Sequence, residues 1–266
     1  MSHYLLEVKD LNCRFEIERN LFSKNKYLYV LKNINFNLKQ GSTLGIVGES
    51  GCGKSTLCRT ILSLNNKETG NIKWFSKDID QFTKKEFKNF RKKVQIIFQD
   101  PYGSLNPRMT IGNIISEPLE IYKKENDKKS KTLKVLDVME KVGLSDLLFN
   151  RFPHELSGGQ CQRVGIARSI INEPDVLICD EPVSSLDLSV QSQILDLLKS
   201  LKNKLNITMV FVSHDLAVVK SISDEVMVLK QGEIVEKSSA EQVFNNPKDE
   251  YTKKLISSVP RINNIG

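Results

Sequence analysis

The stretch GESGCGKST, residues 48–56, decides the fold. It fits the pattern GxxxxGK[ST], follows the apolar run LGIV (44–47) and precedes the helical-looking TLCRTIL (56–62). A glycine-rich turn between a strand and a helix points backbone N–H groups inward, where they surround a phosphate. The pattern therefore predicts a P-loop, with Lys54 directed at the β- and γ-phosphates and the Ser55 hydroxyl at Mg²⁺. We assign the whole loop to nucleotide binding: Gly48, Glu49, Ser50, Gly51, Cys52, Gly53, Lys54, Ser55 and Thr56.

Short apolar runs rich in β-branched residues recur along the chain and predict buried strands. They are LGIV (44–47), VQIIF (94–98), VLIC (176–179), ITMVFV (207–212) and EVMVL (225–229). Helical spacing lies between several of them, in Leu57, Ile61 and Leu64, and in Val190, Ile194, Leu197 and Leu201. Strands that alternate with helices indicate βαβ units, so we predict an α/β fold with a mostly parallel sheet.

The interval from about 104 to 170 has helical spacing and no convincing strand. One helical segment contains Leu133, Leu136, Val138, Met139 and Val142. This predicts a helical insertion into the α/β core. Near the end of the chain, VLKQGEIVE (228–236) predicts a hairpin followed by a short helix around 240–244.

The bulk composition fits an ordinary globular protein of 266 residues with 39% hydrophobic residues. The longest apolar stretches fall far short of the roughly 20 residues that span a bilayer. The start, MSHYLLEVKD, lacks the layout of a secretory signal, and the five cysteines form no CxxC pair. We therefore expect the protein to reside in a reducing cytoplasm.

The formal net charge of +7 is compatible with nucleic acid, anionic lipid or a lysine-rich surface as its cause. Much of the excess lies in KKEFKNFRKK (84–93) and KKENDKKSK (123–131). Acidic and polar residues interrupt both runs, which favours solvated helical faces.

The run VLICDEP (176–182) ends a predicted strand in two acids, Asp180 and Glu181. Ligands of open α/β sheets bind at this end of the strands. We expect Asp180 to hold Mg²⁺ through water, and Glu181, pointing to the other side of the strand, to polarise the attacking water. Such acids are also common in exposed turns, and the P-loop in the same chain favours the catalytic interpretation.

A second glycine-containing motif, LSGGQ (156–160), precedes CQRVGIARSI. Ser157, Gly158 and Gly159 offer another helix N-terminus with backbone donors for phosphate. On this motif, the P-loop and the acid pair, the chain resembles the ABC ATPase family from about residue 5 to 251. The resemblance implies a head-to-tail dimer in which the signature motif of one subunit closes over ATP held by the P-loop of the other.

The resemblance also implies the layout of the chain. It predicts a P-loop NTPase fold with a single nucleotide-binding domain over residues 1–266, a mostly parallel core sheet and an N-terminal antiparallel β subdomain. The signature motif would lie in a helical subdomain inserted over residues 100–170, and residues 251–266 would form a short C-terminal tail.

Further site residues follow from positions that match the family. Gln99 matches the glutamine that senses Mg²⁺ and meets the membrane subunit, and His214 matches the histidine that contacts the γ-phosphate. Gln160 ends the signature motif, and Asp187 matches the acid that bridges the two sites of the dimer. Phe15 aligns with the aromatic residue that stacks on adenine, with Tyr27 as a rival and a core role open for both.

Two longer strings, QDPYGSLNPRMTI (99–111) and RFPHELSGGQ (151–160), are similar to the branch that powers import of peptides and nickel. We expect ATP and Mg²⁺ as cofactors, a second ATPase subunit that is identical or related, two transmembrane permease subunits and, indirectly, a substrate-binding protein. The expected location is peripheral, on the cytoplasmic face of the membrane. No nucleic acid partner is expected.

The chain departs from the family pattern at Cys161, where a basic residue is usual, and at Ser169, where alanine is usual. Some peptide-importer members of the family have clustered cysteines for an iron–sulfur centre near the C-terminus, whereas no cysteine follows Cys179 here. The short C-terminal tail looks somewhat more like that of the nickel-type members. The sequence does not specify the cargo, because this subunit does not touch it in the family. One alternative is a non-transport ABC ATPase acting on DNA or ribosomes, and another is a regulatory module without catalysis.

Overall fold

The computed structural model describes residues 4–18, 26–122 and 127–258. The chain packs as two compact units, the first made of residues 1–83 and 210–266 and the second of residues 84–209. The domain boundaries expected from the sequence stay predictions. Of the predicted tail, residues 251–257 belong to a helix and residues 259–266 lie outside the described residues.

The first unit contains the antiparallel sheet predicted for the N-terminal part of the chain. Its strands lie in the order β2-β1-β4-β5. They are β1 (Tyr4–Glu18), β2 (Lys26–Lys39), β4 (Thr69–Trp74) and β5 (Lys77–Asp78). Trp74 is fully buried on this sheet, and its indole N–H donates a hydrogen bond to the Ile61 carbonyl at 2.8 Å.

The first unit also contains parallel strands. β3 (Thr43–Val47) pairs in parallel with β9 (Glu225–Lys230), and β10 (Glu233–Ser239) completes the predicted hairpin with β9. Every residue of β3 is buried, which is why it reads as a continuous apolar run. The helices are α1 (Lys54–Ile61), α7 (Leu216–Ile222), α8 (Ala240–Asn245) and α9 (Glu250–Ser257).

One prediction for α1 is wrong. The helix ends at Ile61, Ser63 adopts a left-handed backbone with φ 53°, and Leu64 is 50% exposed. Leu57 and Ile61 are fully buried as predicted. Leu64 has the spacing of a helical residue, but the chain turns away before reaching it.

The second unit contains β6 (Val94–Ile97) and β7 (Val176–Asp180), which pair in parallel. Its helices are α2 (Lys84–Lys93), α3 (Ile111–Ile121), α4 (Lys128–Lys141), α5 (Gly158–Ile170) and α6 (Leu188–Leu205). In the described residues between β6 and β7 there is no strand, which confirms the helical interval. β8 (Thr208–Val212) begins where this unit ends.

The three helices α3, α4 and α5 contact one another. α3 contributes Ile111, Ile114 and Ile115, all buried. In α4, Val135 and Met139 are buried, whereas Leu133, predicted on the apolar face, is 60% exposed. Val138 and Val142 of the predicted segment are buried as well, so Leu133 is the exposed exception in that segment.

The first basic run and the described part of the second lie on helical surface, as predicted. α2 has one buried residue, Phe90, and its lysine and arginine side chains lie on the outside. Asp127 caps α4 by accepting a hydrogen bond from Ser130 N–H at 2.8 Å, while residues 123–126 of the second run lie outside the described residues. Among the described helices, none combines the length and apolarity needed to cross a bilayer.

We predict that Trp74→Phe destabilises the protein by about 2 kcal/mol, which lowers the melting temperature by several degrees. The variant loses part of a fully buried ring and leaves the Ile61 carbonyl without its indole donor. Circular dichroism melts measure the shift. Tryptophan fluorescence cannot be used, because Trp74 is the one tryptophan of the chain and the variant lacks it. Leu64→Ala, at a half-exposed site, serves as the control and should shift the melt little. Equal melts for the two variants would contradict this account.

Candidate functional site

The first unit places the glycine-rich loop between β3 and α1. Lys54 is 5% exposed, and its ammonium donates hydrogen bonds to the carbonyls of Gly48 at 2.8 Å and Glu49 at 2.9 Å. α1 begins at Lys54, so Ser55 and Thr56 lie in its first turn, whose N–H groups have no intrahelical acceptors. The loop therefore encloses a positive charge at a helix N-terminus, an arrangement that suits a phosphate.

Close backbone approach explains the glycines of this loop. A Cβ on Gly48, whose φ is 152°, would lie 2.1 Å from the Leu229 carbonyl oxygen. A Cβ on Gly53, whose φ is 110°, would lie 2.9 Å from the Val30 carbonyl oxygen. Neighbouring strands therefore enclose the loop so tightly that side chains at these two positions would displace it.

Two contacts of the loop were not predicted from the sequence. Gly232, in the turn between β9 and β10, donates its N–H to the Cys52 carbonyl at 3.0 Å. The Tyr251 hydroxyl, in α9, accepts a hydrogen bond from Glu49 N–H at 3.1 Å. The sequence predicted the hairpin. Both contacts, however, are made to backbone atoms of the loop, and a pattern of residue types does not predict which backbone atoms will be contacted. The Cys52 side chain is buried, and this burial raises the pKa of its thiol.

His214 follows β8 and is exposed. The Ser213 hydroxyl accepts a hydrogen bond from Asp215 N–H at 3.0 Å, and the Asp215 carboxylate caps α7 by accepting from Ala217 N–H at 2.8 Å. These hydrogen bonds hold the backbone next to His214, whose side chain is exposed.

The two candidate aromatic residues for adenine lie on the β1–β2 hairpin. Phe15 pairs with Leu28, and Tyr27 pairs with Glu16, so the rings of Phe15 and Tyr27 point to opposite faces of the hairpin. Both side chains are exposed, at 42% and 40%. The Arg14 guanidinium covers one face of the Tyr27 ring at 4.0 Å from its centroid. Only one of the two can therefore contact a given adenine.

The second unit contains the acid pair. Asp180 is the last residue of β7 and is 2% exposed. Glu181 lies beyond the strand with a left-handed φ of 50°, and Gln99 Nε2 donates a hydrogen bond to its Oε2 at 3.2 Å. Glu181 follows the last residue of the strand, so strand alternation alone does not set its direction, and its assignment stays a prediction. Such a backbone costs on the order of 1 kcal/mol in a non-glycine residue.

The signature motif starts α5 through a capping box. The Ser157 hydroxyl accepts a hydrogen bond from Gln160 N–H at 3.3 Å, and Gln160 Oε1 accepts one from Ser157 N–H at 2.9 Å. The side chain of Gln160, assigned to nucleotide contact, thus holds the helix start in this structure. Gly158 and Gly159 are the first two residues of the helix, so their N–H groups lie at its positive end.

Direct contacts join the predicted motifs of the second unit. The Tyr102 hydroxyl, close to Gln99, donates to the Leu156 carbonyl at 3.0 Å. A Cβ on Gly159 would lie 2.6 Å from the Val190 side chain, one turn after Asp187 at the start of α6. These contacts hold the Gln99 segment, the signature motif and Asp187 together.

The two departures from the family pattern both point into the interior. Cys161 is fully buried, its thiol lies 3.5 Å from the Pro153 carbonyl, and burial raises its pKa to about 11. The Ser169 hydroxyl donates to the Gly165 carbonyl at 2.8 Å. Both residues fill space beside α5, and neither replaces a catalytic group.

A strand, a glycine-rich loop closed on a buried lysine, and a helix that begins at that lysine define the chain as a P-loop nucleotide-binding protein. A profile of the ABC transporter family matches residues 31–184. The chain belongs to the ABC transporter family and is an ABC ATPase.

Relatives of known name place it within that family. It is 50% identical over 259 residues to the oligopeptide transport ATP-binding protein OppF of Haemophilus influenzae, covering 96% of this chain and 78% of that protein. It is 44% identical over 259 residues to the dipeptide transport ATP-binding protein DppF of Escherichia coli, and the match covers 97% of this chain and 77% of that protein. The chain thus falls in the branch of peptide-importer ATP-binding proteins, which supports transport over DNA or ribosome action.

Solved structures show the same fold. The ATP-binding cassette MJ0796, in a dimeric post-hydrolysis state bound to ADP and Pi, is 28% identical with a TM-score of 0.78, covering 88% of this chain and 98% of that one. CbiO1 from Clostridium perfringens, part of the ABC transporter complex cbiONQ, is 30% identical with a TM-score of 0.77, covering 97% of both chains. The predicted fold class and the ATPase activity are confirmed.

We predict that Gly48→Ala weakens ADP binding roughly tenfold or more, because the new Cβ would collide with the Leu229 carbonyl and displace the loop. Gly165→Ala is the matched control. Gly165 lies inside α5, a Cβ there meets nothing within 4 Å, and alanine favours the helix. Calorimetric titration with ADP compares the variants. Wild-type affinity in Gly48→Ala would show that the loop tolerates the side chain.

Proposed function

We propose that this chain hydrolyses ATP at residues 48–56 to power a membrane importer for oligopeptides or dipeptides. The observation that carries the proposal is the enclosed Lys54 ammonium, 5% exposed and held by two loop carbonyls at the start of α1. An ammonium of this kind provides three donors, which phosphate oxygens can take over from the loop carbonyls.

In the first unit, residues 48–56 bind the phosphates through backbone N–H groups and Lys54. His214 contacts the γ-phosphate. Phe15 stacks on adenine, and the Arg14 cover on one face of Tyr27 favours Phe15 over its rival.

In the second unit, Glu181 accepts a proton from the attacking water, and Gln99 holds its carboxylate. The donors assigned to Mg²⁺ are the Ser55 hydroxyl, the Gln99 amide and the Asp180 carboxylate, and oxygen donors of these types fit this ion. With Gln99 Nε2 engaged on Glu181, the amide oxygen is the atom available to a cation. When bound, Mg²⁺ neutralises phosphate charge.

The signature motif acts on a second subunit. Ser157, Gly158 and Gly159 present the N-terminus of α5, with Gln160 holding the helix start, and this end of a helix favours anions. We propose that it closes over ATP bound to the partner's P-loop, with Asp187 between the two sites. The partner is an identical or a related ATPase chain.

Peptide cargo is favoured over nickel because the chain is similar to OppF of Haemophilus influenzae and to OppF and DppF of Escherichia coli. The chain would act peripherally at the cytoplasmic face of the membrane, bound to two permease subunits and served by a substrate-binding protein. ATP-driven closing and opening of the ATPase pair would move the permeases.

We predict that Glu181→Gln lowers phosphate release by roughly 10²- to 10⁴-fold while ATP binding persists, so that an ATP-loaded dimer accumulates. The reason is the loss of the carboxylate that takes the proton from water. Phosphate release and size-exclusion chromatography with ATP, on the complex that co-purifies with the tagged chain, provide the measurements.

Glu173→Gln is the matched control. Glu173 is also a glutamate of the second unit, and its backbone is left-handed too, with φ 54°. It should hydrolyse ATP at the wild-type rate. A Glu181→Gln complex that turns over as fast as this control would refute the assignment of the catalytic base.

A strain that lacks this gene should lose uptake of labelled dipeptide or oligopeptide and keep uptake of nickel. The wild-type gene should restore peptide uptake, and the Glu181→Gln gene should not, because the permeases need the hydrolysis step. Loss of nickel uptake with intact peptide uptake would reverse the assignment of the cargo.

A further inference from the structure

The C-terminal helix α9 contacts the P-loop through one tyrosine. The Tyr251 hydroxyl accepts the hydrogen bond from Glu49 N–H at 3.1 Å. The Lys230 ammonium lies 4.9 Å from the centroid of the Tyr251 ring. Burial is the main cause that raises the pKa of Tyr251, so the hydroxyl stays protonated at neutral pH. Residues about 200 positions apart in the chain are thereby joined at the second residue of the loop.

A buried carboxylate fixes the position of this helix. Glu236, 8% exposed in β10, accepts hydrogen bonds from Lys248 N–H at 3.0 Å and Asp249 N–H at 3.1 Å. Asp249 in turn caps α9 by accepting from Tyr251 N–H at 2.8 Å. Because β10 belongs to the hairpin whose turn contacts Cys52, α9 and the P-loop rest on the same strands.

The backbone N–H and the backbone carbonyl of Glu49 are both hydrogen-bonded. Lys54 binds its carbonyl at 2.9 Å, and Tyr251 binds its N–H. Phosphate oxygens would compete with this carbonyl for the lysine ammonium, since both need the same donors. The bond to Tyr251 does not involve Lys54, so it can hold the first turn of the loop after the lysine turns to nucleotide.

We propose that Tyr251 is a positioning residue that keeps the P-loop in its phosphate-binding conformation from the C-terminal helix. The inference rests on the proposed function, namely that nucleotide phosphates bind residues 48–56. It gives α9 a role in the ATPase, and it requires reciprocity: if the docked helix favours nucleotide binding, bound nucleotide must favour the docked helix equally.

Tyr251→Phe tests the inference, because it removes the hydroxyl and keeps the ring. We expect a fluorescent ADP analogue to bind the variant about 3- to 10-fold more weakly than wild type, the range expected for one hydrogen bond. KM for ATP should rise by a similar factor with kcat within about twofold, since Tyr251 touches no reacting atom. Unchanged or tighter binding would overturn the proposal.

Tyr122→Phe is the matched control. Tyr122 caps the end of α3 in the second unit, is also partly buried, and has the Lys88 ammonium 5.8 Å from its ring centroid. It should bind the ADP analogue as wild type does. An equal loss of affinity in both variants would show a general effect of removing a hydroxyl and would also overturn the proposal.

Hydrogen exchange separates positioning from mere structure. In wild type, ADP should slow amide exchange in α9, residues 250–257, and in Tyr251→Phe this protection should disappear. ADP that binds wild type without protecting α9 would overturn the inference and leave the proposed function intact. Failure of wild type to bind ADP at all would instead refute the proposed function.

Discussion

The hydrogen bonds between the Lys54 ammonium and the carbonyls of Gly48 and Glu49 are the constraint on which the site depends. A buried ammonium is costly unless its donors are satisfied, and here the P-loop itself satisfies them. The loop must therefore curl with its carbonyls toward the lysine. The strands packed against Gly48 and Gly53 restrict the loop to this conformation. The same curl directs N–H groups to the place of a phosphate, so stability and ligand binding favour one conformation.

The parts of the fold that the sequence predicted are those with local signals. β3 and β7 are buried at every residue and read as continuous apolar runs, and the hairpin of β9 and β10 has its Gln-Gly turn. Helix limits and faces were harder to predict. Leu64 and Leu133 have helical spacing, yet one lies beyond the end of its helix and the other faces water. Periodicity shows which residues could share a face, whereas tertiary packing decides which face is buried.

The candidate site divides in the same way. Residues to which we assign side-chain chemistry in a fixed motif, such as Lys54 and Glu181, could be picked out in the sequence. The left-handed backbone of Glu181 and the contact of Tyr251 with Glu49 N–H were not. A backbone amide is present at every residue except proline, so no residue type indicates which amide will be bound from about 200 positions away.

The signature motif shows how one string of residues serves two purposes. Ser157 and Gln160 satisfy each other's backbone N–H groups, which is the ordinary way to start a helix. This capping leaves the first-turn glycines at the positive end of α5, so a well-capped helix and an anion site are compatible. Gly159 packs on Val190, three residues after Asp187 at the start of α6, so the signature helix and the Asp187 segment are in direct contact. The small residue at Gly159 lets the start of α5 approach α6 closely, which fits the proposed closing of this motif over the partner's nucleotide.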